Sequence, residues 1–331
     1  MAAVFWGPAS DRYGRRYIML VGNGILVVGA VGCAFALTFQ MLLMFRVIQG
    51  IGAATSAVVT SAIIADVYSS DRAVRLYGLM NAVFTIIMAI SPILGGVLNT
   101  VVGWRGSYGA VAVISIISWG ALYFFLPETK LLTGRIISDK TMVNYRRLLS
   151  SSLFLSAAII PSLFYGCYIS FVAVAPFIYM QVFEVGMLMY TLHQGVIVLF
   201  FAITSMYSSQ IIQLLGKKRA LHLALFVAGV GSGLMFYLNT IGAITFAMSL
   251  FSVGFALLYP TIFASSLEIF PDMKGLASSV IISLRYFICA GITAIVSYFY
   301  NGDLLILPIV FSGVMVLILV LSLRVLSHIR L

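Results

Sequence analysis

Acidic side chains are scarce: Asp and Glu supply 9 of 331 residues against 19 Lys and Arg, and charged residues of both signs reach only 8%. A water-soluble fold so poor in charge would have to expose large apolar patches. Cysteine is almost as rare. Cys33, Cys167 and Cys289 stand singly in separate apolar runs, which speaks against a disulfide framework and against thiolate metal ligation. His193, His222 and His328 form no cluster and read as structural. No H-E-x-x-H, no G-x-S-x-G and no carboxylate pair inside an apolar run is present, so the sequence offers neither an enzyme's machinery nor a metal or cofactor site. Residues 1–10 lack the basic n-region of a signal peptide.

What is present is apolar. Hydrophobic residues make up 62% of the chain and its mean hydropathy is +1.13. The sequence resolves into ten apolar runs, at about 17–38, 41–66, 74–99, 107–126, 153–181, 187–214, 220–239, 242–265, 275–299 and 304–323. Each approaches the roughly 20 residues that a helix rising 1.5 Å per residue needs to cross about 30 Å of hydrocarbon. Helices satisfy their backbone internally, and the short alternating strands of a membrane barrel are missing, so the expected class is all-α transmembrane in a lipid bilayer.

The formal charge of +10 is topological and does not indicate nucleic acid. Alternate connections hold Arg12, Arg15, Arg16, Arg72, Arg75, Lys130, Arg135, Lys140, Arg146, Arg147, Lys217, Lys218, Arg219 and Lys274, while the opposite set holds only Arg105. The loaded side is cytoplasmic by the positive-inside rule, and Arg324 and Arg330 put the C-terminus there as well.

The polar stretch from Pro127 to Ser152 divides the chain into a first bundle at 1–126, a linker at 127–152 and a second bundle at 153–331. An internal repeat supports that division. A shift of 202 residues lays Gly14-Arg15-Arg16 on Gly216-Lys217-Lys218, Gly52 on Gly254, Asp66 on Glu268 and Arg72 on Lys274. The same shift places the counterpart of the helix near Leu153 before Met1, so ten spans are expected of twelve, with residues 1–10 as the tail of a second helix.

The densest motif runs from Gly7 through Asp11, Arg12, Gly14, Arg15 and Arg16, a tight turn with an acid and three cations around a glycine. It resembles the loop signature G-x-x-x-D-R-x-G-R-R of the major facilitator superfamily. Arg46, Gln49, Gly50 and Gly52 resemble the family's fourth-helix motif. Ser91, Pro92, Gly95 and Gly96 resemble the fifth-helix antiporter motif, with Ile87 and Ser91 where the fuller pattern has glycines. Gly103-Trp104-Arg105 and Leu126-Pro127-Glu128-Thr129 bracket the sixth helix as in the bicyclomycin-resistance branch of drug:proton antiporters. The resemblance implies a two-bundle fold moving a small-molecule substrate by alternating access, coupled to protons, in the bacterial inner membrane. It also implies a leak-sealing role for the helix with Pro92, Gly95 and Gly96.

Arg46 and Arg285 are the ionisable residues placed inside apolar runs, and all nine acids fall at helix ends or in loops. Either a partner acid sits in the expected first helix, or the site takes anionic substrate groups, so an anion or metabolite carrier and a transport-inactive remnant stand as alternatives to efflux. Tyr165 and Tyr168 are pocket candidates. Asp11, Arg15, Asp66, Arg72 and Glu268 are expected either to form a cytoplasmic latch or to be solvated surface charge.

Overall fold

The computed structural model describes residues 2–68, 70–129, 140–237, 240–270 and 274–328. The side chains of Asp11, Asp66, Arg72, Pro92 and Glu268 lie outside the described residues, as does the loop at 130–139. Every regular element described is helical: α1 (Ala2–Tyr13), α2 (Arg15–Ala34), α3 (Phe39–Val67), α4 (Ser70–Phe125), α5 (Lys140–Ser150), α6 (Ser152–Phe177) continued by a π-helical turn (Ile178–Val182), α7 (Met187–Leu215), α8 (Lys217–Leu234), α9 (Ile241–Glu268), α10 (Lys274–Phe299) and α11 (Ile306–His328). Eight stretches among the described residues are long and apolar enough to cross a bilayer. The ten expected runs also include α8, whose first turn holds Lys217, Lys218 and Arg219, and the part of α4 before Leu94.

Two compact units emerge, one of Met1–Asn81 with Gly95–Tyr145, the other of Ala82–Leu94 with Arg146–Leu331. In the first, α3 packs against both α1 and α2. In the second, α6 is the central element, flanked by α9, α10 and α11, and its Phe164 and Phe171 sit in a core with Phe251, Phe255 and Phe311. Pro161 and Pro176 interrupt its hydrogen-bond ladder, and the π turn follows directly after the second.

Two local features have physical causes. The runs at 74–99 and 107–126 are separated, as in the sequence reading, by a break in α4 at Gly103, whose φ of 71° only a residue without Cβ adopts cheaply. Arg105, just past the break, donates to the carbonyl of Ala36 at 3.2 Å and lies over the Trp104 ring. The second is α5, a helix inside the stretch expected to be linker. Tyr145, Leu148 and Leu149 recur at i, i+3 and i+4, and Leu148 is fully buried while Arg147 lies over the Phe270 ring.

The 202-residue offset recurs in atomic detail. Helices α2 and α8 begin 202 residues apart, as do α3 and α9, and α1 and α7 end at Tyr13 and Leu215. Thr38 and Thr240, at the starts of α3 and α9, have φ of −124° and −123°. A Cβ on Gly52 would overlap the backbone of Gly22 and Leu26, and one on Gly254 would overlap Ala224 and Ala228, the positions 202 further on. Overpacking of this kind costs about 1–3 kcal/mol where backbone cannot yield. Gly52→Val and Gly254→Val are therefore expected to lower the melting temperature of detergent-purified protein. Gly50→Ala, where a Cβ meets no described atom within 4 Å, is expected to leave it unchanged.

Candidate functional site

The turn between α1 and α2 is built on Gly14, which takes φ 96° and ψ 150° and supplies no side chain to cap the helix it opens. The cap comes from 113 residues away. Glu128 accepts from the backbone N–H of Arg15 at 2.9 Å and of Arg16 at 3.1 Å, so its two carboxylate oxygens close two of the open donors of α2. A carboxylate there also meets the positive end of the helix dipole. Any Cβ on Gly14 would fall 2.6 Å from Glu128 Oε2, so the glycine is required twice, for its φ and for the acid's approach. Around this centre the buried Arg15 donates to Ser10 Oγ at 2.6 Å, Ser10 donates to the Gly7 carbonyl at 2.8 Å, and Arg16 donates to the Tyr123 carbonyl at 2.9 Å. Arg12 lies over the Tyr13 ring.

Of the expected latch, Arg15 is thus held by Ser10 and, through its backbone, by Glu128, whereas Asp11, Asp66, Arg72 and Glu268 lie outside the described side chains. Glu128 was quoted in the sequence only as part of a motif and not as a site residue. At the antiporter-like motif, Ser91 Oγ donates to the Ile87 carbonyl within its own helix, and no described atom comes within 4 Å of a Cβ built on Gly95. Gly96 is buried.

Arg46 lies seven residues into α3, exposed, with Nη1 donating to Gln49 Oε1 at 2.9 Å and its guanidinium 5.2 Å from the Tyr108 ring centroid. Gln49 itself is buried, where its backbone meets Gly29 of α2.

Arg285 sits near the middle of α10, roughly 16 Å along from Lys274 at 1.5 Å per residue. Its Nη2 donates to the Tyr259 hydroxyl of α9 at 2.8 Å, and its guanidinium lies 5.0 Å from the Tyr259 ring and 5.6 Å from the Tyr165 ring of α6. A cation at this depth costs about 2.5–3.5 kcal/mol. Two cation–π contacts of about 0.5–2 kcal/mol each and one charged hydrogen bond of about 1.5–3 kcal/mol offset that cost. Behind these rings Phe255, Phe201 and Tyr168 continue the aromatic packing, with centroids 5.4 Å apart for Phe201 and Phe255 and 6.4 Å for Tyr168 and Phe201. Tyr168 is buried, so it backs the wall, whereas Tyr165, Tyr259 and Arg285 are part-exposed.

A further cluster escaped the sequence reading, which took the histidines as isolated. Thr245 Oγ1 donates to the Ile241 carbonyl at 2.9 Å and lies 2.7 Å from Tyr179 OH and 2.8 Å from His193 Nδ1, so three side chains meet in one polar cluster. His193 Nε2 has no partner among the described residues. The Tyr179 ring lies 5.5 Å from the His193 ring and 5.7 Å from that of Tyr190.

The Major Facilitator Superfamily sequence profile matches residues 1–294. The chain is 27% identical over 285 residues to multidrug resistance protein MdtL of Shigella flexneri and 28% identical to that of Escherichia fergusonii, covering 85% of this chain and 71% of each relative. Among solved structures, the human organic anion transporter MFSD10 (TETRAN) superposes with a TM-score of 0.73 at 20% identity over 98% of this chain and 80% of that one. The xylose transporter XylE of E. coli, partially occluded and inward open, superposes with a TM-score of 0.73 at 13% identity over 99% and 85%.

Truncating the cap gives a direct reading. Glu128→Ala removes a helix-end charge worth about 1 kcal/mol, so hydrogen exchange at the Arg15 and Arg16 amides is expected to accelerate roughly fivefold while amides in α8 stay unchanged.

Proposed function

Because this chain belongs to the Major Facilitator Superfamily, we propose that it is a proton-coupled exporter of small organic compounds, working by alternating access in a bacterial inner membrane with its C-terminus in the cytoplasm. The observation that carries the reading is the duplication. Turn, helix start and glycine contact recur 202 residues apart, as in transporters built from two related bundles that move against each other around a site. Relatives named for multidrug resistance support export of drug-like compounds. The distribution of Lys and Arg supports the orientation.

His193, hydrogen-bonded through Nδ1 to Thr245 in the second unit, is the proposed coupling residue, since no described carboxylate lies in the interior of a span. Arg46 and Gln49 in the first unit, and Arg285 with Tyr165 in the second, are the proposed substrate or coupling residues. Gly14, Arg15 and Glu128 are proposed to hold the cytoplasmic end of α2 in one of the transporter's states.

The test uses everted vesicles or proteoliposomes with an acid interior, offered a neutral, a cationic and an anionic aromatic compound. Accumulation of at least one, collapsed by a protonophore and reduced at least tenfold in His193→Gln, is expected. Accumulation of none of the three, or accumulation indifferent to the protonophore, would overturn the exporter reading; retention of coupled uptake by His193→Gln would remove only the histidine.

Orientation has its own measurement. Single cysteines replacing Lys217 and Arg105 are expected to react with an impermeant maleimide from opposite compartments, Lys217→Cys from the cytoplasmic side. Labelling of both from one side contradicts the topology.

A further inference from the structure

Arg285 has more hydrogen-bond donors than the described residues use. A guanidinium presents five N–H groups in a fixed fork. Here Nη2 reaches the Tyr259 hydroxyl, Nε is buried without any acceptor, and no carboxylate pairs with the group among the described residues. The three helices hold no second cation near it, because α6 and α9 contain no Lys or Arg and the only other cation of α10 is Lys274 at its first position; their one acid, Glu268, ends α9. One full positive charge, at mid-span, faces no counter-charge among the described residues.

The Tyr259 hydroxyl adds to this. Its oxygen accepts from Arg285, so its own proton is left to donate, and it has no acceptor among the described residues. Guanidinium and phenol donors therefore meet at one place, a pairing that favours an anion over a cation or a neutral amide. The surroundings define the rest of the ligand. Tyr165 and Tyr259 flank the charge as part-exposed rings, backed by the packed rings of Phe255 and Phe201, so an apolar planar body finds aromatic faces beside the anion's position.

We propose that Arg285, Tyr259 and Tyr165 form the recognition site for a monoanionic aromatic solute, its carboxylate or sulfonate on the Arg285 fork and the Tyr259 hydroxyl, its ring against Tyr165. The single cation selects one negative charge; a dianion would keep half of its charge unmatched. This names a substrate class for the exporter reading and rests on it.

Equilibrium binding to the full chain in phosphatidylcholine nanodiscs, which present no anionic headgroup, tests it with 2-naphthoate and its neutral isostere 2-naphthamide. The acid is expected to bind at least tenfold more tightly than the amide. Arg285→Gln should bring that ratio near one, Arg285→Lys should restore part of it, and Tyr259→Phe should lower it severalfold. Should Arg285→Gln not fold, as judged by thermal unfolding, Tyr259→Phe and Arg285→Lys read the same ratio. Equal binding of acid and amide by the unmodified chain, no binding of naphthoate, or a ratio unchanged by these substitutions overturns the proposal. Those results leave the exporter reading standing if a neutral or cationic compound is still moved by the proton gradient. Selective naphthoate binding without gradient-driven transport of any compound has the opposite meaning.

Discussion

Lipid removes the ordinary reason for helices to associate, because an apolar side chain gains little by leaving hydrocarbon for another helix. What holds such a bundle is contact between backbones, and that demands residues with almost no side chain at the crossings. In the first unit Gly22, Gly29 and Gly52 bring α2 and α3 together at Thr55, Gln49 and Leu26. In the second, Gly231 and Gly254 do the same for α8 and α9, meeting Ala247, Phe251, Ala224 and Ala228. The small residues of one crossing fix the register of the whole pair, so the positions of Arg46 and Gln49 on α3 follow from where Gly29 and Gly52 allow the backbone to sit.

Against that apolar packing the few charges are placed with economy. Glu128 stands at the end of a span, where the free N–H groups of α2 are both a hydrogen-bond partner and a partial positive charge. Arg285 is the reverse case, a full charge deep in a span with rings and a phenol around it and no carboxylate beside it among the described residues. The first arrangement is satisfied internally and serves the fold. The second remains open among the described residues, and the proposed anion site is built on that opening.

Much of the fold was legible in the sequence because hydropathy, glycine and cation spacing are local properties. The runs near 153–181 and 187–214 lie within a few residues of α6 with its π turn and of α7. The turn at Gly14 and its partner at Gly216 were readable from glycine followed by paired cations. Partnerships across long stretches of chain were not. Glu128 and Arg15 are separated by 113 residues and Arg285 and Tyr259 by 26, and no periodicity announces either pair. Helix α5 was hidden by its low hydrophobicity, since only its i, i+3, i+4 face is apolar. The partner of His193 was not legible either, because a lone histidine in a sequence carries no sign of the threonine, 52 residues on, that it bonds.

The two glycine turns, alike in backbone, have different surroundings. Gly14 is crowded by a carboxylate that would collide with any larger residue, whereas no described atom lies within 4 Å of a Cβ on Gly216, which is kept only by its φ of 79°. The two corresponding glycines are thus fastened differently: the first is clasped by a distant part of its own unit, and the second meets no described neighbour. Both combine a φ above +70° with a ψ near 150°, a backbone region that is essentially glycine's alone, so conformation constrains substitution at either place and the carboxylate adds a second constraint at Gly14.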